Sequence, residues 1–209
     1  MFKNRPIYWV IAISIALFVV LMWLSPQKDE LQSSQLPWNA AYDEQDRLHA
    51  LGLTLMHSTL QDAMKLYGRD VEVKLFEMPN GERSAEGYFN SAYIGSIHGA
   101  LVIKLAMNEQ ELNQYFDRGA RITVSKQGSR EVQLNNEDTL ALFNYPIKEL
   151  TLVPRRRLNS QAIEKRFGTP DQIIYDEQED LSTWFYEALG LELIIIEGGN
   201  DILRYQARR

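Results

Sequence analysis

The chain has no cysteine, which excludes disulfides, thiolate metal sites, cysteine nucleophiles and the lipid-bearing cysteine of a bacterial lipoprotein. Histidine is scarce. His49, His57 and His98 are the three present, and none stands in an H-x-x-x-H or H-E-x-x-H spacing, so a zinc site would need ligands from distant parts of the chain. "MHST" and "SIHGA" bring serine near histidine, but no G-x-S-x-G elbow accompanies them. Concentrated positive charge is also missing. The formal net charge is −6, and beyond residue 25 there are 28 acidic against 20 basic residues. That balance argues against a nucleic-acid partner, which requires a basic surface to displace counterions from phosphates. No cofactor, no metal and no catalytic residue is therefore expected, and the chain reads as a non-enzyme.

Long apolar runs are confined to the N-terminus. Residues 7–24, "IYWVIAISIALFVVLMWL", carry Ser14 as their one non-aromatic polar side chain. As a helix they would span about 27 Å, close to a hydrocarbon core of roughly 30 Å. Tyr8, Trp9 and Trp23 fall where interfacial rings belong, and Lys3 and Arg5 precede the run. The expectation is an uncleaved single-pass inner-membrane anchor with a cytoplasmic N-terminus and a periplasmic body. Residues 1–25 would be stub and anchor, and 26–47 a tether containing Trp38.

The remainder alternates between helical and extended patterns. Thr59 or Ser58 is a helix cap, Leu60, Ala63, Met64 and Tyr67 share one helical face, and Gly68 is a stop. "VEVKLFEM" alternates as a half-buried strand, with further strands around residues 84–89 and 100–107. A helix after Asn108, a hairpin turning near Gly128, a helix near residues 137–143 and a strand ending at Pro154 complete residues 48–154, the first expected module. Residues 155–209 form the second. Asn159 or Ser160 caps a helix ending at Gly168, and "DQIIYDE", "STWFYEAL", "LELIIIEG" and "DILRYQA" follow as four strands. The fold class expected is α+β: a transmembrane helix and then two helix-plus-antiparallel-sheet modules, with tandem repetition left open.

Residues 158–199, "LNSQAIEKRFGTPDQIIYDEQEDLSTWFYEALGLELIIIEGG", resemble the SmpA/OmlA (BamE-like) outer-membrane-assembly lipoproteins. Phe167, Gly168, Pro170, Trp184 and Tyr186 carry the match, and residues 48–107 resemble a degenerate second copy. The chain departs from that family in its lack of a lipid-accepting cysteine. The resemblance implies a helix-plus-sheet fold and an envelope setting.

Candidate partner-binding residues are few. Trp184 and Tyr186 share one face of their strand and Phe185 takes the other, so an aromatic face is available to a partner or to the core. Arg155, Arg156 and Arg157 are the densest charge in the chain, suited to clamp an anion or to pair with the chain's own acidic loops. "DEQED", residues 176–180, reads as a hairpin loop. Together these features indicate a membrane-anchored bacterial envelope protein working as a non-catalytic scaffold on an envelope protein partner. The alternatives are an envelope hydrolase using His57 or His98, and a small-ligand sensor using a cleft between modules.

Overall fold

The computed structural model describes residues 14–15, 33–124 and 128–208, of which 33–208 lie in one compact unit. Its main element is a ten-stranded sheet in which every pairing is antiparallel. Three short strands, β1 (Ala41–Tyr42), β2 (Leu48–Ala50) and β3 (Leu53–Thr54), make a separate small sheet. Helix α1 (Leu60–Tyr67) leads into β4 (Glu72–Glu77), β5 (Arg83–Ile94) and β6 (Ile97–Leu105). Helix α2 (Glu109–Asp117), the hairpin β7 (Arg121–Val124) and β8 (Arg130–Gln133), and helix α3 (Asn136–Leu142) intervene before β9 (Ile147–Pro154). Helix α4 (Ser160–Phe167) then precedes β10 (Gln172–Asp176), β11 (Leu181–Tyr186), β12 (Leu191–Ile196) and β13 (Ile202–Gln206).

The helices start where side chains can satisfy free backbone amides. Thr59 and Asp62 make a reciprocal capping box on α1, and Asn108 with Glu111 repeats it on α2. Gly68 and Gly168 end α1 and α4 with positive φ. Leu60 and Ala63 of α1 are buried, and Gly87 lets the helix approach β5, since a Cβ there would lie 2.8 Å from Leu60 Cδ1.

Two modules with their own sheets were expected; one continuous sheet is found, in the order β10-β11-β12-β13-β9-β6-β5-β4-β8-β7. The physical reason lies at the junction. Strands β9 and β13 each end a meander, and each would otherwise leave a row of unpaired N–H and C=O groups. They pair with one another instead, with Leu203 opposite Leu152 and Tyr205 opposite Leu150. A single apolar row thus crosses the junction through Leu101, Leu152, Leu203 and Leu193, all fully buried.

The membrane expectation is corrected as well. The longest helix described, α2, has nine residues, about 14 Å, which is half a hydrocarbon core. Among the described residues no helix is long and apolar enough to cross a membrane. The anchor assigned to residues 7–24 lies outside the described residues except for Ser14 and Ile15. The single-pass inner-membrane assignment, with its cytoplasmic N-terminus and periplasmic body, is therefore without structural support.

The later part of the expected tether, residues 26–47, is folded onto the body. Residues 41–54 form the small sheet, and Tyr205, fully buried, donates its hydroxyl to the Pro37 carbonyl at 2.8 Å. Trp38 docks on α4, edge-on to Phe167 at 6.1 Å and beneath the Arg166 guanidinium at 4.0 Å. Gly190, with φ of 56°, closes the β11–β12 connection so tightly that a Cβ would meet Leu48 Cδ2 at 2.5 Å.

Candidate interaction surface

The inner face of the large sheet is occupied. On β11, Trp184 lies opposite Leu193 and Tyr186 opposite Leu191, so both aromatics point to the side that carries the buried leucines. Tyr186 is only 3 % exposed and packs on Phe167 of α4 with ring centres 5.9 Å apart. Among the described residues its buried hydroxyl has no hydrogen-bond partner, and burial pushes its pKa up to about 12 with a smaller push from the Glu164 carboxylate. Trp184 is half-buried, its indole N–H donating to Ser182 Oγ at 3.2 Å. Neither ring is laid out as an open aromatic face.

The opposite face is polar and internally paired. Arg204 bridges Glu192 at 3.2 Å and Glu149 at 3.7 Å across three strands. Lys74 bridges Glu131 and Glu72 there, while on the leucine side, two residues beyond Leu75, Glu77 takes both Arg83 and Arg130. These ladders use up the charged groups that might otherwise recognise a partner.

The arginine run follows the end of β9 and bonds to backbone carbonyls rather than to acidic loops. Arg155 donates its backbone N–H to the His98 carbonyl at 2.9 Å and a guanidinium N–H to Asn90 O at 3.3 Å. Arg157 donates to Ile196 O at 2.9 Å, and Arg156 is exposed. Arg155 therefore joins the tip of the β5–β6 hairpin, where Tyr93, 69 % exposed, stacks flat on the His98 ring at 4.4 Å. Trp184 and Tyr186 are not part of that cluster's contacts.

The histidines do not assemble a catalytic centre. His57 Nδ1 lies 3.2 Å from the Leu55 carbonyl, and His98 Nε2 lies 2.9 Å from Ser91 Oγ. His49 is the more organised: its Nε2 is 2.9 Å from Asp43 Oδ2 and its Nδ1 2.9 Å from Thr54 Oγ1. A carboxylate only accepts, so Nε2 carries the proton toward Asp43. The same carboxylate takes Arg47 at 2.6 Å, and these bonds to Arg47 and then His49 hold the Asp43 pKa far below the usual carboxylate range. The chain of bonds pins β1, β2 and β3 together, and among the described residues no group of three acidic or histidine side chains is placed to hold a metal. A cleft between the two meanders has no place at the junction, because β9 and β13 are paired there. A groove of about 590 Å³ opens instead beside the ends of β11, β12 and β13, with Tyr42, Phe185 and Arg208 in its wall.

What remains open are the two edges of the large sheet: β7, with Ile122 51 % and Val124 62 % exposed, and β10. Strand β10 pairs with β11 on one side and with no described strand on the other. All five of its residues are exposed, including Ile173 at 37 %, Ile174 at 48 % and Tyr175 at 73 %. Ile173 lies opposite Trp184, at the end of the row that is fully buried from Leu101 to Leu193. Burial falls away across two strands because α4 covers Tyr186 and Trp38 and leaves β10 uncovered. Sequence reasoning placed this strand but not its position at the edge. Alternation is the same for edge and central strands, and the acidic residues on both flanks were the one available signal.

No family model matches this chain, and no curated protein does either. One solved structure, the crystal structure of a DUF4309 family protein (YjgB) from Bacillus subtilis subsp. subtilis str. 168, aligns at 13 % identity with a TM-score of 0.33. The alignment covers 86 % of this chain and 97 % of that one. At that score the likeness carries no argument about fold or function.

Proposed function

We propose that the chain is a non-catalytic protein-interaction module that takes an extended segment of a partner onto β10. The observation that carries this reading is the outer side of β10, which no described strand pairs, with the exposed Ile173, Ile174 and Tyr175 in a row. An added strand would satisfy the free backbone groups of β10, while its alternate side chains would cover the two isoleucines and the tyrosine. Within Gln172–Asp176 there is no lysine, proline or bulge, and the one charge is Asp176 at the end of the strand. The paired carboxylates of the outer face and the buried Tyr186 favour the edge over either sheet face as the docking site. The resemblance of residues 158–199 to BamE-like modules is in keeping with a role in protein contact.

Photo-crosslinking in cells tests this reading. A crosslinker at Tyr175 gives a discrete protein adduct, and that adduct is lost when Ile174→Lys places a charge in the middle of the edge. An adduct that survives Ile174→Lys, or that forms equally from Thr151 in mid-sheet, overturns the reading.

A further inference from the structure

Charge around β10 identifies the class of segment that fits it, and this step rests on the edge reading above. Asp171 stands immediately before the strand, and the turn after it carries Asp176, Glu177, Glu179 and Asp180. Among the described residues none of these five carboxylates takes part in a salt bridge, whereas Glu72, Glu77, Glu131, Glu149 and Glu192 elsewhere on the sheet are all paired. Some of their oxygens are engaged by backbone N–H groups: Asp176 Oδ1 accepts from Gln178 and Glu179, and Asp171 Oδ2 from Glu187. Those bonds hold the carboxylates in place without neutralising them. Beside the turn lies a shallow recess of about 190 Å³, walled by Tyr175, Leu181 and Ile195 and rimmed by Asp176, Glu177 and Asp180. An apolar wall under a carboxylate rim suits a side chain with an aliphatic stem and a cationic head.

A second copy of this chain is the obvious rival occupant, and charge disfavours it. A two-fold pairing of β10 with itself, centred on Ile174, sets Glu177 against Asp171 at both ends of the new ladder. Like charges directly opposite destabilise a strand pair. An acidic strand from any partner meets the same repulsion.

We infer that the β10 edge docks a basic extended segment, one whose alternating apolar residues cover Ile173, Ile174 and Tyr175 and whose lysine or arginine side chains meet the 176–180 turn and Asp171. The carboxylates fix the register and the sign of the partner, and the backbone ladder supplies the rest of the contact.

The test uses the full-length chain and three short synthetic peptides with one alternating Ile/Thr core, flanked by lysine, by glutamine or by glutamate. Binding is read by fluorescence anisotropy at low salt and at physiological salt, where the screening length is about 8 Å. The lysine peptide is expected to bind about tenfold more tightly than the glutamine peptide, as two or three partly exposed ion pairs would provide, with the advantage shrinking at higher salt. The glutamate peptide is expected to bind most weakly. The combined variant Glu177→Gln, Glu179→Gln, Asp180→Asn should erase the lysine preference, and Ile174→Lys should abolish binding of all three, with circular dichroism showing both variants folded. Equal binding of the three peptides, lost in Ile174→Lys, overturns the charge inference and leaves the edge reading standing. Lysine-peptide binding that survives Ile174→Lys is surface attraction without strand addition and overturns it too. No binding by any peptide overturns the inference, while the crosslinking from Tyr175 separately decides the edge.

Discussion

The Tyr205 hydroxyl donates to the Pro37 carbonyl at 2.8 Å across 168 residues of sequence, and the tyrosine is fully buried. The bond fastens the segment before β1 onto the last strand of the large sheet. Tyr67 acts in parallel from α1, donating to the Leu51 carbonyl. Burial raises the pKa values of both phenols, so each remains a donor well into the alkaline range.

Tyr205→Phe keeps the ring and deletes the donor, leaving the Pro37 carbonyl buried without this partner. The expected loss is about 1–3 kcal/mol, the usual cost of stranding one buried polar group. Urea denaturation checks it through a lower midpoint at unchanged slope. An unchanged midpoint would mean that water replaces the phenol at Pro37.

Much of the fold is legible residue by residue, because its local rules are satisfied. Thr59 and Asn108 cap helices, Gly68 and Gly168 end them, and the alternation in "VEVKLFEM" and "LELIIIEG" marks strands with one buried face. Strand β5 was read as ending near Phe89 because the register shift between Phe89 and Ala92 breaks the period there, although pairing resumes with Ala92 opposite Gly99. The small sheet was missed because two- and three-residue strands have no period to read. The pairing of β9 with β13 was beyond reach for a different reason: nothing local tells a strand which edge it will meet. The candidate site shows the same division. Alternation put Trp184 and Tyr186 together and Phe185 apart, as the register has it, but which side the helix would cover depended on where α4 packs.

The junction row leads to a second prediction. Leu152 lies between Leu101 and Leu203, and all three are fully buried, so the two meanders share one core and should unfold together. Leu152→Ala is expected to cost about 2–5 kcal/mol through lost burial and the cavity left behind. Circular dichroism, reporting the whole sheet, and tryptophan fluorescence should still shift as one transition. Two separated transitions would show that the halves are independently stable.

Alkaline pH should destabilise the fold through its buried tyrosines. Burial pushes Tyr145 and Tyr186 up to about 12 from an ordinary value near 10, with Tyr115 and the Glu111 carboxylate adding to the push at Tyr145. Tyr88 is raised as well, by burial and then by its hydrogen bond to Glu86. A phenol whose folded pKa is raised holds its proton longer in the folded state than in the unfolded one. Its contribution is complete below about pH 10 and is lost as pH climbs through the folded value. The urea midpoint should therefore fall steadily between about pH 10 and 12, in step with the rise in tyrosinate absorbance. A flat midpoint across that range would show that these rings ionise freely.

Tyr186 offers a prediction of opposite sign. Its hydroxyl is buried without a partner among the described residues, while its ring is held by Phe167 and lies opposite Leu191. The hydroxyl loses hydration on folding and gains no hydrogen bond in return, so it opposes the packing of the ring that carries it. Tyr186→Phe keeps the ring and removes the stranded group. It is expected to raise stability by about 1 kcal/mol in urea denaturation at neutral pH, and to remove this residue's share of the alkaline loss. Because the ring faces the core and not the β10 edge, the same variant should leave crosslinking from Tyr175 unchanged. A loss of stability would show that the hydroxyl has a partner in solution, with ordered water the first candidate. A loss of the crosslink would place the core behind β11 within reach of the partner.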